Sequence, residues 1–174
     1  RPQPPGLTIL QQELPAVTCF TGRFDTEQLA QAAEIIISPG LSLRDPALIP
    51  ALAAGVPIIS EIELFARHRN APVVAITGSN GKSTVTTLVG DMAKRAGLRV
   101  QVGGNLGTPA LELWCQPAPD LYVLELSSFQ LETTSSLHPE AAVVLNICED
   151  HLDRYATLAE YIVAKQRIYQ GNGV

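Results

Sequence analysis

Val73-Val74-Ala75-Ile76-Thr77-Gly78-Ser79-Asn80-Gly81-Lys82-Ser83-Thr84 is an apolar, β-branched run that breaks into a glycine loop and then into helix-forming sequence. A strand, a glycine loop and a helix in that order make a phosphate-binding loop credible. Glycines let backbone N–H groups turn inward and approach phosphate oxygens closely. The helix start adds about half a positive charge aimed at the same place. Lys82 is then placed to neutralise the outer phosphates, and the Ser83 hydroxyl to ligate Mg²⁺. The common pattern has four residues between its glycines; here there are two, and Ile76 stands where the first glycine would be. A plain strand-to-helix turn with a surface lysine is the competing account.

Downstream, Val100 to Gly103, Leu121 to Leu126 and Ala142 to Ile147 are further apolar runs of strand length. Such near-continuous runs fit strands covered on both faces. Helical segments separate them, from Ser83 to Arg95, Pro109 to Cys115 and Thr157 to Tyr169, while Leu131 to Leu137 is ambiguous. Val85, Leu88, Val89 and Met92 fall at i, i+3, i+4 and i+7, which predicts a core-facing stripe. Alternation of this kind means a parallel sheet with helices packed on it. In open parallel sheets, ligands gather at the carboxyl ends of the strands. Topology therefore sends Lys82, Gly103-Gly104-Asn105, Glu125 and Glu149-Asp150-His151 to one rim.

Each of these side chains has two readings. Glu125 closes Leu121-Tyr122-Val123-Leu124, from which an acid can reach a metal; otherwise it is an exposed strand-end acid. His151 is a ligand or a surface cap, beside Asp150, Asp153 and Arg154, which can cap the next helix. Asn105 donates to phosphate or merely tolerates a left-handed turn. Lys165, one of three lysines, sits at i+7 from Leu158 on a face with Tyr161, Ile162, Ile168 and Tyr169. It either snorkels out of the core edge or is a desolvated amine with a depressed pKa, open to modification or facing phosphate.

The first seventy residues alternate on a smaller scale. Strands are expected at Val17 to Gly22, Glu34 to Ile37 and Val56 to Ser60. Helices are expected at Thr26 to Ala33, Pro46 to Ala54 and Glu61 to Arg69. Polar residues around Asn70, followed by Pro72, mark the domain boundary. Loop chemistry at Arg1-Pro2-Gln3-Pro4-Pro5-Gly6 and a turn at Gly171-Asn172-Gly173 suggest a chain cut at both ends.

The 174 residues are 46% hydrophobic and 17% charged, an ordinary globular composition. A chain of this size buries roughly 70% of its unfolded surface, enough for a core. Its net charge of −5 argues against a general nucleic-acid binder. No apolar run approaches the roughly 20 residues of a membrane span. Cys19, Cys115 and Cys148 lack metal-ligand spacing and are expected to be reduced, buried thiols of a cytoplasmic protein. A GTPase would need N-K-x-D after a late strand, and Asn146-Ile147-Cys148-Glu149 lacks both the Lys and the Asp.

Together these residues resemble the Mur ligase family of peptidoglycan synthesis. Gly78-Ser79-Asn80-Gly81-Lys82-Ser83-Thr84 is similar to that family's short G-x-N-G-K-[ST] loop, which accounts for the missing glycine. Leu124 to Glu132 (LELSSFQLE), Glu149 to Tyr155 (EDHLDRY), Gly103-Gly104-Asn105 and Ala164 to Tyr169 (AKQRIY) look like the branch that adds D-glutamate to UDP-N-acetylmuramoyl-L-alanine.

The resemblance implies an α/β protein. Residues 1–70 would be an incomplete Rossmann-like domain for the UDP substrate, without its first strand. Residues 71–174 would be the front of a P-loop ATPase domain, and the C-terminal amino-acid domain would be absent. It implies an ADP-forming ligase in the cytoplasm, acting as a monomer, with the fragment inactive alone. Gly78, Ser79, Asn80, Gly81, Lys82, Ser83 and Thr84 would hold ATP. Ser83 and Glu125 would ligate one Mg²⁺; His151 would ligate a second, helped by a carbamylated Lys165. Asn105, Ser38, Phe129 and, more weakly, Arg1 would contact the nucleotide-sugar substrate. Another Mur-type or folylpolyglutamate-type ligase, or a non-catalytic nucleotide-binding module, is the alternative.

Overall fold

The computed structural model describes residues 3–149 and 154–170. It falls into two compact units, Arg1–Ile35 with Ser42–Ile58, and Ile36–Leu41 with Ile59–Val174. By packing, the segment from Ile59 to Asn70 belongs to the second unit.

In the first unit, α1 (Leu7–Glu13), α2 (Thr26–Gln31) and α3 (Ile49–Ala53) are short. Asp25 starts α2 by accepting from the backbone N–H groups of Glu27 and Gln28. The helix expected over Pro46 to Ala54 divides into a 3₁₀ turn, Pro46–Leu48, and α3. Pro50 explains the break, because its missing N–H suits only the first turn of a helix. The strand expected over Val17 to Gly22 is not formed. Val17 and Phe20 are about half exposed, and β-branched content makes no strand without a neighbouring ladder. The sequence reading also missed α1. Strands β1 (Ile35–Ile37) and β2 (Ile58–Ser60), of which only Ile35 and Ile58 fall in the first unit, form a separate two-stranded sheet.

The second unit holds β3 (Val73–Thr77), β4 (Val100–Gly104), β5 (Leu121–Glu125) and β6 (Ala141–Val144), ordered β4-β5-β3-β6 and all parallel. Its helices are α4 (Glu61–His68), α5 (Lys82–Arg95), α6 (Ala110–Trp114), α7 (Ser128–Glu132) and α8 (Leu158–Gln166), the last continuing into a 3₁₀ turn, Arg167–Tyr169. The inner strands β3 and β5 are buried almost throughout, and their apolar runs follow from cover on both faces. Ile62, Phe65, Val73, Ala75, Leu113, Tyr122, Leu124 and Leu131 share one core, with Phe65 edge-on to Tyr122 at 5.0 Å. Among the described residues no helix is long and apolar enough to cross a membrane.

Two apolar expectations change. On α5 the buried residues are Thr86 and Gly90, while Leu88 and Met92 are more than half exposed. Helix and sheet approach at Gly90, where a Cβ would lie 2.5 Å from Val102 Cγ2. That close contact turns the helix so that its small residues, and not its largest, face β4. The cysteines are free, as expected, but Cys115 and Cys148 are exposed and Cys19 half-buried. Cys115 caps the end of α6 and Cys148 lies beyond β6, positions outside the packed layers.

A buried acid ties α4 to the chain after α7. Glu63 is 2% exposed. It accepts from the backbone N–H groups of Ser135 and Ser136, at 2.7 and 2.9 Å, from the Ser136 hydroxyl and from Arg67. Burial alone would raise its pKa, but these donors outweigh burial and hold it down to about 2, against an ordinary 4.5. A carboxyl depressed by folding stabilises fully above its unfolded pKa and loses that contribution as pH falls through the folded one. The expected loss between pH 4.5 and 2 is on the order of 3 kcal/mol. Urea melts of wild type and Glu63→Gln should converge across that window. A stability gap as wide at pH 2.5 as at pH 7 would refute it.

Candidate active site

Register fixes the rim of the larger sheet. Ile76 and Gly104 both pair with Glu125, and Thr77 pairs with Val144, so four strands end at one level. The sequence placed Lys82, Asn105 and Glu125 on this rim, and the structure brings all three there.

Gly78 to Gly81 leave β3 and enter α5 through Gly81, whose φ of 79° needs no Cβ. No side chain caps α5, whereas Ser60, Ser127 and Thr157 cap α4, α7 and α8. The first N–H groups of a 14-residue helix therefore point out of the loop without a side-chain acceptor at the cap. Lys82 curls back over the loop and donates from Nζ to the carbonyls of Gly78 and Ser79 at 3.0 and 2.9 Å. Asn80, Ser83 and Thr84 are exposed at the mouth.

Ser79 behaves differently from its neighbours. Its hydroxyl is buried, bonding the Cys148 carbonyl at 3.2 Å and N–H at 3.0 Å and meeting the Tyr161 hydroxyl at 3.1 Å. Its side chain is therefore turned away from the mouth of the loop.

The chain leaves β6 at Val144, earlier than the expected Ile147, and the freed residues clamp the loop. The Asn146 carbonyl accepts from Ser79 N–H at 3.0 Å. The Asn146 amide accepts from Asn80 N–H and donates to the Asn80 carbonyl, both at 2.9 Å. Asn146 is thus a site residue that sequence reading missed. Its one visible signal was an amide at the end of an apolar run.

Glu125 is 3% exposed. Ser83 Oγ donates to its Oε2 at 2.6 Å, and Asn105 Nδ2 to its Oε1 at 2.8 Å. The exposed strand-end reading of Glu125 fails. Hydroxyl and carboxylate oxygens side by side are the hard donors that Mg²⁺ prefers, and Mg²⁺ usually takes few carboxylates and completes its shell with water and phosphate. Among the described residues no group of three His, Cys, Asp or Glu could form a metal cage. The Ser83 and Glu125 oxygens fit magnesium bound together with a phosphate ligand.

Lys165 lies on the buried face of α8 with Tyr161 and Ala164, and is 2% exposed. It does not snorkel. Its Nζ donates to the Gly78 carbonyl at 2.9 Å and the Thr77 hydroxyl at 3.3 Å, and stands 4.7 Å from the centre of the Tyr161 ring. Lys82 and Lys165 therefore share one carbonyl oxygen, from opposite sides of the loop. As an amine, Lys165 is a hydrogen-bond donor here and no metal ligand.

Ser38 is exposed, and its carbonyl closes a turn by accepting from Leu41 N–H. Arg154 gathers that turn to α7. It donates to the carbonyls of Pro39 and Leu41 at 3.0 and 3.3 Å and to Glu132 at 3.0 Å, and lies 4.2 Å over the Phe129 ring. Phe129 stacks in turn on Tyr155 at 5.9 Å. Burial, and then the neighbouring Glu132, push the Tyr155 phenol above its usual range, so it stays neutral. Ser38 and Phe129 are thus brought to one patch. Arg1 and His151 lie outside the described residues.

Residues 76–173 match the model of the Mur ligase middle domain, and residues 1–60 that of the Mur ligase MurD-like, N-terminal domain. The UDP-N-acetylmuramoylalanine–D-glutamate ligase of Nitrosococcus oceani is 56% identical over 173 residues, which are 99% of this chain and 38% of that protein. The ligase of the same name from Pseudomonas aeruginosa is 58% identical over 171 residues, 98% of this chain and 38% of that protein. The chain thus spans 38% of the length of these curated relatives. Among solved structures, the UDP-N-acetylmuramate:L-alanyl-gamma-D-glutamyl-meso-diaminopimelate ligase of Neisseria meningitides superposes with a TM-score of 0.52 at 22% identity. That match covers 95% of this chain and 56% of the other, and it speaks for the α/β fold alone.

Proposed function

Because the chain belongs to the Mur ligase family, we propose that it carries the front portion of an ATP-dependent, ADP-forming ligase that joins D-glutamate to UDP-N-acetylmuramoyl-L-alanine in peptidoglycan synthesis. Residues 1–70 form most of a Rossmann-like domain for the UDP substrate, and residues 71–174 the start of the P-loop ATPase domain. The protein acts in the cytoplasm as a monomer. One observation carries the reading: the Glu125 carboxylate is held 2.6 Å from Ser83, at the mouth of an uncapped helix that also bears Lys82. Its support in sequence is identity of 56–58% to ligases of that name over nearly the whole chain.

A carboxylate and an amine do not condense in water, so the acid must first be activated. The substrate carboxylate attacks the γ-phosphorus of ATP, ADP leaves, and an acyl phosphate forms. The amine of D-glutamate then attacks that carbonyl, and the tetrahedral intermediate expels phosphate to give the amide. The chain supplies position and charge; no protein nucleophile is needed. The loop of Gly78, Ser79, Asn80 and Gly81 and the uncapped first N–H groups of α5, with Thr84 beside them, seat the phosphates. Lys82 leaves its two carbonyls to meet the transferring oxygens. Ser83 and Glu125 hold one magnesium, and His151 with a carbamylated Lys165 a second; the metal supplies charge stabilisation at the phosphoryl oxygens. Asn105, Ser38, Phe129 and Arg1 would contact the nucleotide-sugar substrate, and the Arg154 tether keeps the Ser38 turn against Phe129.

The deciding assay is ADP release by a chain of the relatives' full length carrying this sequence. UDP-N-acetylmuramoyl-L-alanine with D-glutamate should stimulate release, and glutamate should appear in an amide. Nucleotide binding with no stimulated turnover would mark a non-catalytic module. Turnover with a different amino acid would mark another member of the family.

A further inference from the structure

We propose that Asn105 is a positioning residue for the Glu125 carboxylate, so that its loss weakens cation binding even when no nucleotide-sugar is present. The proposal rests on the reading that Ser83 and Glu125 hold a divalent cation with a nucleotide.

Glutamate's terminal torsion is broad, and the side chain does not by itself choose where its two oxygens point. In the interior that choice is made by hydrogen-bond donors. Ser83 takes Oε2 at 2.6 Å and Asn105 Nδ2 takes Oε1 at 2.8 Å. The amide nitrogen of Asn105 is the donor that faces Oε1. Asn105 is itself held to Glu125 a second time, through its backbone N–H and the Glu125 carbonyl at 2.8 Å.

The preceding residue shows how tight that approach is. Gly104 has φ +98°, and a Cβ there would fall 2.4 Å from the Glu125 carbonyl oxygen. Its N–H closes the following turn on the Thr108 carbonyl at 2.9 Å. Backbone and side chain of one loop thus bracket one acid. With Asn105 occupying Oε1, Oε2 is left aimed at Ser83 and the phosphate mouth. Partners that orient a ligating carboxylate typically contribute 10–100-fold to metal affinity.

Mn²⁺ with ADP is the probe, titrated by electron paramagnetic resonance and calorimetry on the full chain. Wild type should bind Mn²⁺–ADP more tightly than ADP alone. Asn105→Ala should weaken Mn²⁺–ADP about 10–100-fold, leaving metal-free ADP affinity unchanged. The isosteric Asn105→Leu, which fills the space without donating, should do the same. In a Glu125→Gln background, Asn105→Ala should have no further effect, the non-additivity expected of residues acting as one unit. Wild-type Mn²⁺ affinity in both Asn105 variants would overturn the proposal. So would an equal loss in the Glu125→Gln background, or a loss of metal-free ADP binding. A wild-type chain that binds ADP no better with Mn²⁺ than without it would overturn the underlying cation reading, and is distinguished by needing no variant.

Discussion

Lys82→Ala is expected to lower turnover of the full-length ligase about a thousandfold or more, the upper range for removing one preorganised charge donor. The chain has three lysines, and only Lys82 belongs to the loop. Its ammonium is already docked over the loop, on the carbonyls of Gly78 and Ser79. A ligand therefore finds the charge close by and needs only a small swing of the side chain to engage it. Lys165 cannot take its place, because it approaches Gly78 from the protein interior at 2% exposure. Steady-state kinetics check the prediction: kcat should collapse. Near-normal turnover in the variant would rule out the assignment of the loop to phosphate.

Lys165→Ala is expected to lose nearly all ligase activity, and short-chain carboxylates should restore part of it. Two ammonium groups on one carbonyl oxygen repel each other, and the interior screens that repulsion poorly. In the proposed carbamate, CO₂ would add to the neutral Lys165 amine with release of a proton. A cation would thereby be exchanged for an anion with two metal-binding oxygens. Formate or acetate, diffusing into the space left by Lys165→Ala, would return that charge without the covalent bond. Rescue that follows carboxylate concentration and disappears with bulky acids would support it. Full activity without added acid would remove Lys165 from the mechanism. Loss of activity that no acid repairs, with an unchanged melting temperature, would leave the lysine with a role other than the carbamate.

The parts of this protein written as periodic burial were readable in advance. Val73–Thr77 is a strand with the expected bounds, because a run buried on both faces has only one way to sit in the sheet. Lys82, Asn105 and Glu125 could be sent to one rim from topology alone, without knowing which strands touch. What escaped were features set by partners distant in sequence. Asn146 reads as an ordinary strand-end amide until its two hydrogen bonds to Asn80 are seen. Arg154 is one more charge near a helix start until it is found on the carbonyls of Pro39 and Leu41. Val17 to Gly22 shows the converse failure: local β character promised a strand that no neighbour completes among the described residues. The stripe on α5 does not face the core because hydrophobicity carries no information on how closely helix and sheet approach.

That closeness at Gly90 reaches further than packing. From Gly90 to Ser83 is two turns of rigid helix, about 10 Å. The gap between the helix axis and Val102 sets the height at which the glycine loop rides above the sheet. Hydrogen is the thinnest possible shim at that fulcrum. A methyl there would act as a wedge, levering the hydroxyl of Ser83 off its carboxylate from a place that touches no ligand at all.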